Sequence, residues 1–479
     1  MSDFEPLPFP EMRTSNPAIN RAYRIAMGDL LGNVRLFQDG LLETPEPVLL
    51  AGLDYDTPWT RDASINVWNG LGLFWRDAAR NTLSAVLERR EEKLYIGGQY
   101  WDAIIWAIGA WTYFLHSGDR DFLALAYEAV RNSLVHFERE EFDEHMGLFR
   151  GPAVYGDGVA AYPDRYSPGG TSSILDWVKA NPQKKAPNGF GIPMMSLSTN
   201  CVYAQAYRIA GWMAHQCGDD SGSVYEARAA RLMTSIRERF WNPELGTFHY
   251  LFDSEGTCDH QEGLGHAFAI LFQVAKDEQA GSVLSKQHRT RFGIPCVWPT
   301  FPRYSSLGGY GRHSGTVWPF ISGFWGEAAL QQGRAELFER EFLCLTENIN
   351  RSGQCAEIHH PDTGEVYGGL QENGTGPRGM DWASCTRQSW TATAYLRLLL
   401  NGLFGMKFSE DGIRFSPCLP RGVDIAEIRG IRYRDCELNV IVEGHGGRVV
   451  DYTCNGEASE PFLPADMHGE QDIRIQLSE

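Results

Sequence analysis

The sequence predicts a mainly α-helical chain: a ring of six helical hairpins, an (α/α)6 barrel, over 1–405, and a small antiparallel β-sandwich over 406–479. Three observations predict this. Twelve stretches up to residue 405 carry apolar residues at helical spacing. They alternate between members apolar on every side and amphipathic members rich in Arg and Glu. Beyond residue 405 the spacing switches to period two, in short runs divided by turn residues.

The helical spacings fall at 16–33, 62–74, 75–90, 100–117, 120–142, 196–217, 223–241, 263–276, 278–288, 315–333, 334–350 and 385–405. Short turns join pairs of them at 116–119, 216–220 and 331–334. The members Trp101–Leu115, Leu197–Ala214 and Val317–Leu330 are apolar all round and are expected inside the ring. Their amphipathic partners are expected to cover them from outside. The connections 34–61, 143–195, 242–262, 289–314 and 351–384 are long, which inside a compact domain marks functional loops, so the active site is expected at their end. The strands are expected within Gly412–Pro420, Ile431–Arg434, Cys436–Glu443, Arg448–Cys454 and Asp472–Leu477.

Composition narrows the partners. A net charge of −18 argues against nucleic acid and against an anionic membrane surface. No run reaches the roughly 18 apolar residues of a membrane span. The start, Met-Ser-Asp-Phe-Glu, has neither the basic nor the apolar region of a signal peptide. The ten cysteines are scattered without a C-x-x-C pair. A cytoplasmic protein with reduced thiols is therefore expected, without metal or cofactor. His359 and His360 are adjacent, which is poor spacing for a shared metal. The 14 tryptophans suit core filling and stacking on sugar faces alike. Oligomeric state is left open.

The chemistry gathers in the long loops. Gly353–Gly369 is rich in turn residues, and Glu357 stands just before its Pro-Asp-Thr-Gly turn. General acid and base work takes two carboxyls, so a second loop carboxyl is sought to face it. Asp157, flanked by Gly156 and Gly158, is the leading choice, with Asp164 its rival. Glu262 and Glu372 are alternatives to Glu357. Trp59, Arg61 and Asp62 together offer a stacking ring, a fork of donors and an acceptor for vicinal hydroxyls.

Glu357-x-x-x-Pro361-x-Thr363-Gly364 resembles the base loop of glycoside hydrolase family 63 and of its barrel relatives, the glycogen-debranching-type and glucoamylase-like α-glucosidases. Trp59-Thr-Arg61-Asp62 resembles their sugar-holding Trp-x-Arg-Asp segment. Gly147-Leu148, followed nine residues on by Asp157, resembles their acid loop, although Tyr155-Gly156 stands where the family has Trp before the Asp. Trp101-Asp102, Trp318-Pro319 with His313, and Gln388-Ser-Trp390 follow in the clan's order. The resemblance implies an inverting, exo-acting glycoside hydrolase, an α-glucosidase acting on a short oligosaccharide or glycoconjugate. In it Asp157 is the acid and Glu357 the base, while Trp59, Arg61, Asp62, Trp101, Asp102, His313, Trp318 and His359 hold the sugar. A phosphorolytic transferase and a sugar isomerase on the same barrel remain the alternatives.

Overall fold

The computed structural model describes residues 9–167, 171–372 and 380–478. Twelve helices make six hairpins. The outer members are α1 (Pro17–Asn33), α3 (Arg76–Ser84), α5 (Arg120–Glu141), α7 (Gly222–Phe240), α9 (Asp277–Lys286) and α11 (Ala335–Ser352). The inner members are α2 (60–74), α4 (100–117), α6 (Leu197–Cys217), α8 (Gly263–Leu271), α10 (Pro319–Gln331) and α12 (389–403). Each inner helix packs on the next, and α12 returns to α2, so the ring closes. Most residues of α6, α8 and α10 are buried, as expected of helices apolar all round.

The short turns are explained residue by residue. Gly118 ends α4 at φ 72°, a left-handed conformation that costs glycine little. Asp119 then caps α5 by accepting from the Phe122 amide at 2.9 Å. The helices depart from the predicted stretches in several places. The stretch 75–90 is helical only to Ser84, because Leu87–Arg90 pairs with Lys93–Ile96 as a hairpin. Helix α4 is broken between Tyr100–Ala103 and Trp106–Ser117. Helices α2 and α12 each pass through a π turn, at Val67–Leu71 and Leu398–Leu403.

The C-terminal strands form a six-stranded and a three-stranded sheet. Burial alternates along Gly469–Ser478, matching the period-two reading. One pairing differs from the expected antiparallel pattern: Cys436–Gly444 and Gly469–Ser478 run parallel. One edge strand of the larger sheet is Glu11–Thr14, from far earlier in the chain, paired with Ile425–Tyr433. The β region docks on the turn that follows α4. There the Arg434 amide donates to His116 O at 2.7 Å, and Arg76 donates to Arg434 O at 2.6 Å. The long loops lie at the other end.

Candidate active site

A cavity of about 190 Å³ opens at the long-loop end. Its wall includes Asp157 and Glu357, together with Trp59, Arg61, Asp62, His313 and Trp318. Tyr55, Tyr155, Arg312, Gln371, Trp382, Gln388 and Trp390 complete most of the lining.

Glu357 is buried, and three donors converge on it. Oε2 accepts from Arg312 Nη2 at 2.7 Å and from the Cys385 amide at 2.9 Å. Oε1 accepts from Tyr55 Oη at 3.2 Å. Two donors occupy Oε2 and one occupies Oε1, so Oε1 keeps a lone pair for a water. Arg312 is anchored in turn, donating to Ala383 O at 2.9 Å and Gly368 O at 3.2 Å. Its guanidinium lies 5.5 Å from the Trp318 ring and 5.8 Å from the Trp382 ring.

Asp157 is the open counterpart, its side chain 41% exposed and 3.3 Å from Arg61 Nη1. The two glycines beside it are required by space. A Cβ on Gly158 would lie 2.0 Å from Gln371 Oε1, and one on Gly156 would lie 2.3 Å from Tyr162 Oη. Arg61 is buried and also donates to Asp102 at 3.0 Å and to Val154 O at 3.3 Å. Burial opposes its charge, but Asp157, Asp102 and Asp62 outweigh that and push its pKa up. Burial pushes Asp62 up to about 7, helped by Glu357 and Asp157 and opposed by Arg61. Asp62 Oδ1 accepts from Gln388 Nε2 at 3.2 Å.

Two aromatic features frame the pocket. Trp59 is 47% exposed and holds φ 47°, rare for a bulky residue and costing about 1–3 kcal/mol. His313 stacks on Trp318 at 4.5 Å and on Tyr155 at 5.6 Å. Burial, with Arg312 and Arg61 nearby, moves its pKa far down, so it is neutral. Its Nδ1 has no protein partner.

Three residues expected at the sugar lie behind the wall instead. Asp102 backs Arg61, and burial raises its pKa well above the usual carboxylate range. Trp101 is fully buried against Tyr100 and Phe190. His359 is buried, exchanges backbone hydrogen bonds with Val317 and sets Nδ1 3.1 Å from Gly364 O. Burial lowers its pKa to about 4. The rival carboxylates also lie off the pocket. Asp164 pairs with Arg303 at 2.8 Å, while its sequence neighbour Arg165 pairs with Asp253. Glu372 is taken up by Arg303, Tyr304 and Ser167. Glu262 is fully buried and accepts from the Ser198 amide. Arg312 and Tyr55 were not singled out from the sequence. Both adjoin segments that were: Arg312 precedes His313, and Tyr55 lies four residues before Trp59.

Among the described residues no group of three or more His, Cys, Asp or Glu could hold a metal ion. None of the described helices is long and apolar enough to cross a membrane.

The closed ring and its long loops define a barrel of six helical hairpins. Residues 103–391 match the family described as mannosylglycerate hydrolase MGH1-like glycoside hydrolase domain, and the chain belongs to that family. Solved structures share the fold. A sialidase superposes with TM-score 0.67 at 14% identity, covering 92% of this chain and 40% of its own. A GH78 rhamnosidase of Bacillus sp. GL1 gives 0.60 at 15% identity, covering 98% of this chain and 44% of its own. The GH63 mannosylglycerate hydrolase of Thermus thermophilus, in complex with glucose, gives 0.55 at 16%, covering 78% of this chain and 99% of its own. This chain therefore spans less than half the length of the first two. No curated protein matches.

Proposed function

We propose that this glycoside hydrolase is inverting and exo-acting, and that it removes a terminal α-glucosyl residue from a short oligosaccharide or small glycoconjugate. One observation carries the reading: Asp157 and Glu357 line the same small cavity, each bound to a different arginine. They rise from the loops after α5 and α11, at distant points of the ring. Loops so placed favour a base that holds a water, the arrangement in which carboxyls stand roughly 6.5–9.5 Å apart rather than the 5–5.5 Å of a double displacement.

Asp157, the more open of the two, hands its proton to the leaving oxygen. Glu357 Oε1 takes the proton of the water, and its other oxygen stays fixed by Arg312 and the Cys385 amide. The cavity, below the 300–1,000 Å³ of larger ligand sites, suits one sugar ring. Arg61 and Asp62 wall it in, which supports exo action. Trp59 offers an exposed face to the aglycone. A base held this way is superfluous for phosphorolysis. An isomerase would want the His359–His360 pair in the cavity, and neither lines it.

The test is a panel of aryl glycosides and mannosylglycerate, followed by proton NMR of the first-formed sugar. The expected product has the opposite anomeric configuration. Retention of configuration refutes single displacement, and inertness toward every α-glucoside with activity on another sugar refutes the substrate.

A further inference from the structure

A second cavity, of about 280 Å³, lies toward the other end of the barrel, between the inner helices and the strand Met406–Ser409. A run of rings, Trp390 on Phe320 at 4.1 Å, Phe320 near Phe324 at 6.4 Å and Phe324 on Trp68 at 4.6 Å, leads from the active-site wall to this one. The two cavities share no lining residue.

The second cavity is built rather than left over. Arg397 is buried in its wall, donating to Asn69 Oδ1 at 3.0 Å and pairing with Glu327 at 2.5 Å. Its cation lies 4.4 Å from the Trp68 ring and 4.5 Å from that of Phe324. Arg397 Nε and His116 Nδ1 are both buried without a protein partner. Both π turns contribute to the lining, Asn69 and Gly70 from one, Leu400 and Asn401 from the other. Such turns are rare and recur at functional sites, where they re-aim side chains. The remaining wall pairs indoles, Trp111 and Trp212, with amides, Gln205 and Gln331.

We propose that this cavity is a second carbohydrate site that takes one neutral monosaccharide or polyol. Indole faces cover the apolar C–H face of such a ligand, and amides both donate to and accept from its hydroxyls. The charge of buried Arg397 is matched by that of Glu327, which is partly exposed, and burial beside Arg76 and Arg434 leaves His116 neutral, its pKa lowered to about 3. Of the charged side chains in the lining, Lys407 alone adds net charge, and it is exposed on the strand Met406–Ser409 rather than set in the interior.

The experiment soaks crystals of the full chain in D-glucose, D-mannose or glycerol and reads density in both cavities. The same probes are titrated into fluorotryptophan-labelled protein by fluorine NMR, where Trp111 and Trp212 report this cavity and Trp59 reports the active site. The expected result is a ligand resolved against Trp111 and Trp212, with their resonances shifting on titration. Trp212→Ala is expected to weaken that binding about tenfold while leaving kcat on aryl glycosides unchanged. Should Trp212→Ala fail to fold, Gln331→Ala, at the exposed rim, carries the same comparison. Density and shifts confined to the active site, or far-end binding indifferent to the variant, overturn the proposal.

Discussion

Replacing Glu357 with Gln probes the proposed base with almost no change of shape. An amide must place an NH2 group where one carboxylate oxygen stood. At the Oε2 position it would oppose Arg312 Nη2 and the Cys385 amide, both donors, at 2.7 and 2.9 Å. At the Oε1 position it meets only Tyr55 Oη, which rotates to accept. Gln therefore seats with its nitrogen at Oε1, turning the site's water acceptor into a donor. Loss of a general base lowers kcat by about 10²–10⁴-fold. At 1.36 kcal/mol per decade that is about 3–5 kcal/mol of barrier. Arg312 keeps its two carbonyl partners, so the folding cost is held to roughly the 1.5–3 kcal/mol of one charged hydrogen bond. The assay is initial-rate hydrolysis of an activated aryl glycoside, with melting followed by circular dichroism. The expected outcome is the full loss in kcat with KM nearly unchanged and the fold intact. With Glu357→Ala, added azide should restore turnover and give the glycosyl azide of opposite configuration. A Gln variant that keeps kcat within about tenfold of the parent refutes the role of Glu357.

Three further outcomes follow from the same geometry. Asp62, raised to about 7, is protonated below that pH and above it an anion, the better acceptor for sugar hydroxyls; KM should fall as pH rises through about 7 in the parent and stay flat in Asp62→Asn, measured by initial rates across pH. Burial raises Glu262 from 4.5 to about 8, so between those values the folded chain holds a proton that the unfolded chain has released. Stability attributable to this group is complete below about 4.5 and falls as pH rises to about 8. Urea midpoints should therefore show Glu262→Gln gaining on the parent from pH 5 to pH 9. Gly158→Ala, with its Cβ 2.0 Å from Gln371 Oε1, should displace Asp157 and cut kcat/KM, and Gln371→Ala in the same chain should restore part of it; additive losses would contradict the clash.

The barrel was legible because inner helices such as α6 and α10 are apolar on all faces, and because turns such as Gly118-Asp119 carry their own capping chemistry. The parallel strand pair and the break in α4 were not, since both are tertiary outcomes that period two and period 3.6 alone do not encode. Residue type and loop location picked out Asp157, Glu357, Trp59, Arg61 and Asp62, which line one cavity. Depth was the missing quantity. Asp102 and Trp101 open an inner helix as expected, yet Arg61 lies between Asp102 and the cavity, and Trp101 turns into the core. Arg312 was overlooked because an isolated arginine in a loop shows its partner only when Glu357 arrives from 45 residues away.

The strand Glu11–Thr14 joins the β region across more than four hundred residues of intervening chain. During synthesis its partner, Ile425–Tyr433, leaves the ribosome roughly 20–80 s later at 5–20 residues per second. Helix α1, which lies against α11 and α12, waits almost as long. The nascent barrel is thus an open arc with an uncommitted leading end for most of translation. Its assembly is governed by a late, long-range closure, the kind of event that slows folding and rewards chaperone shielding.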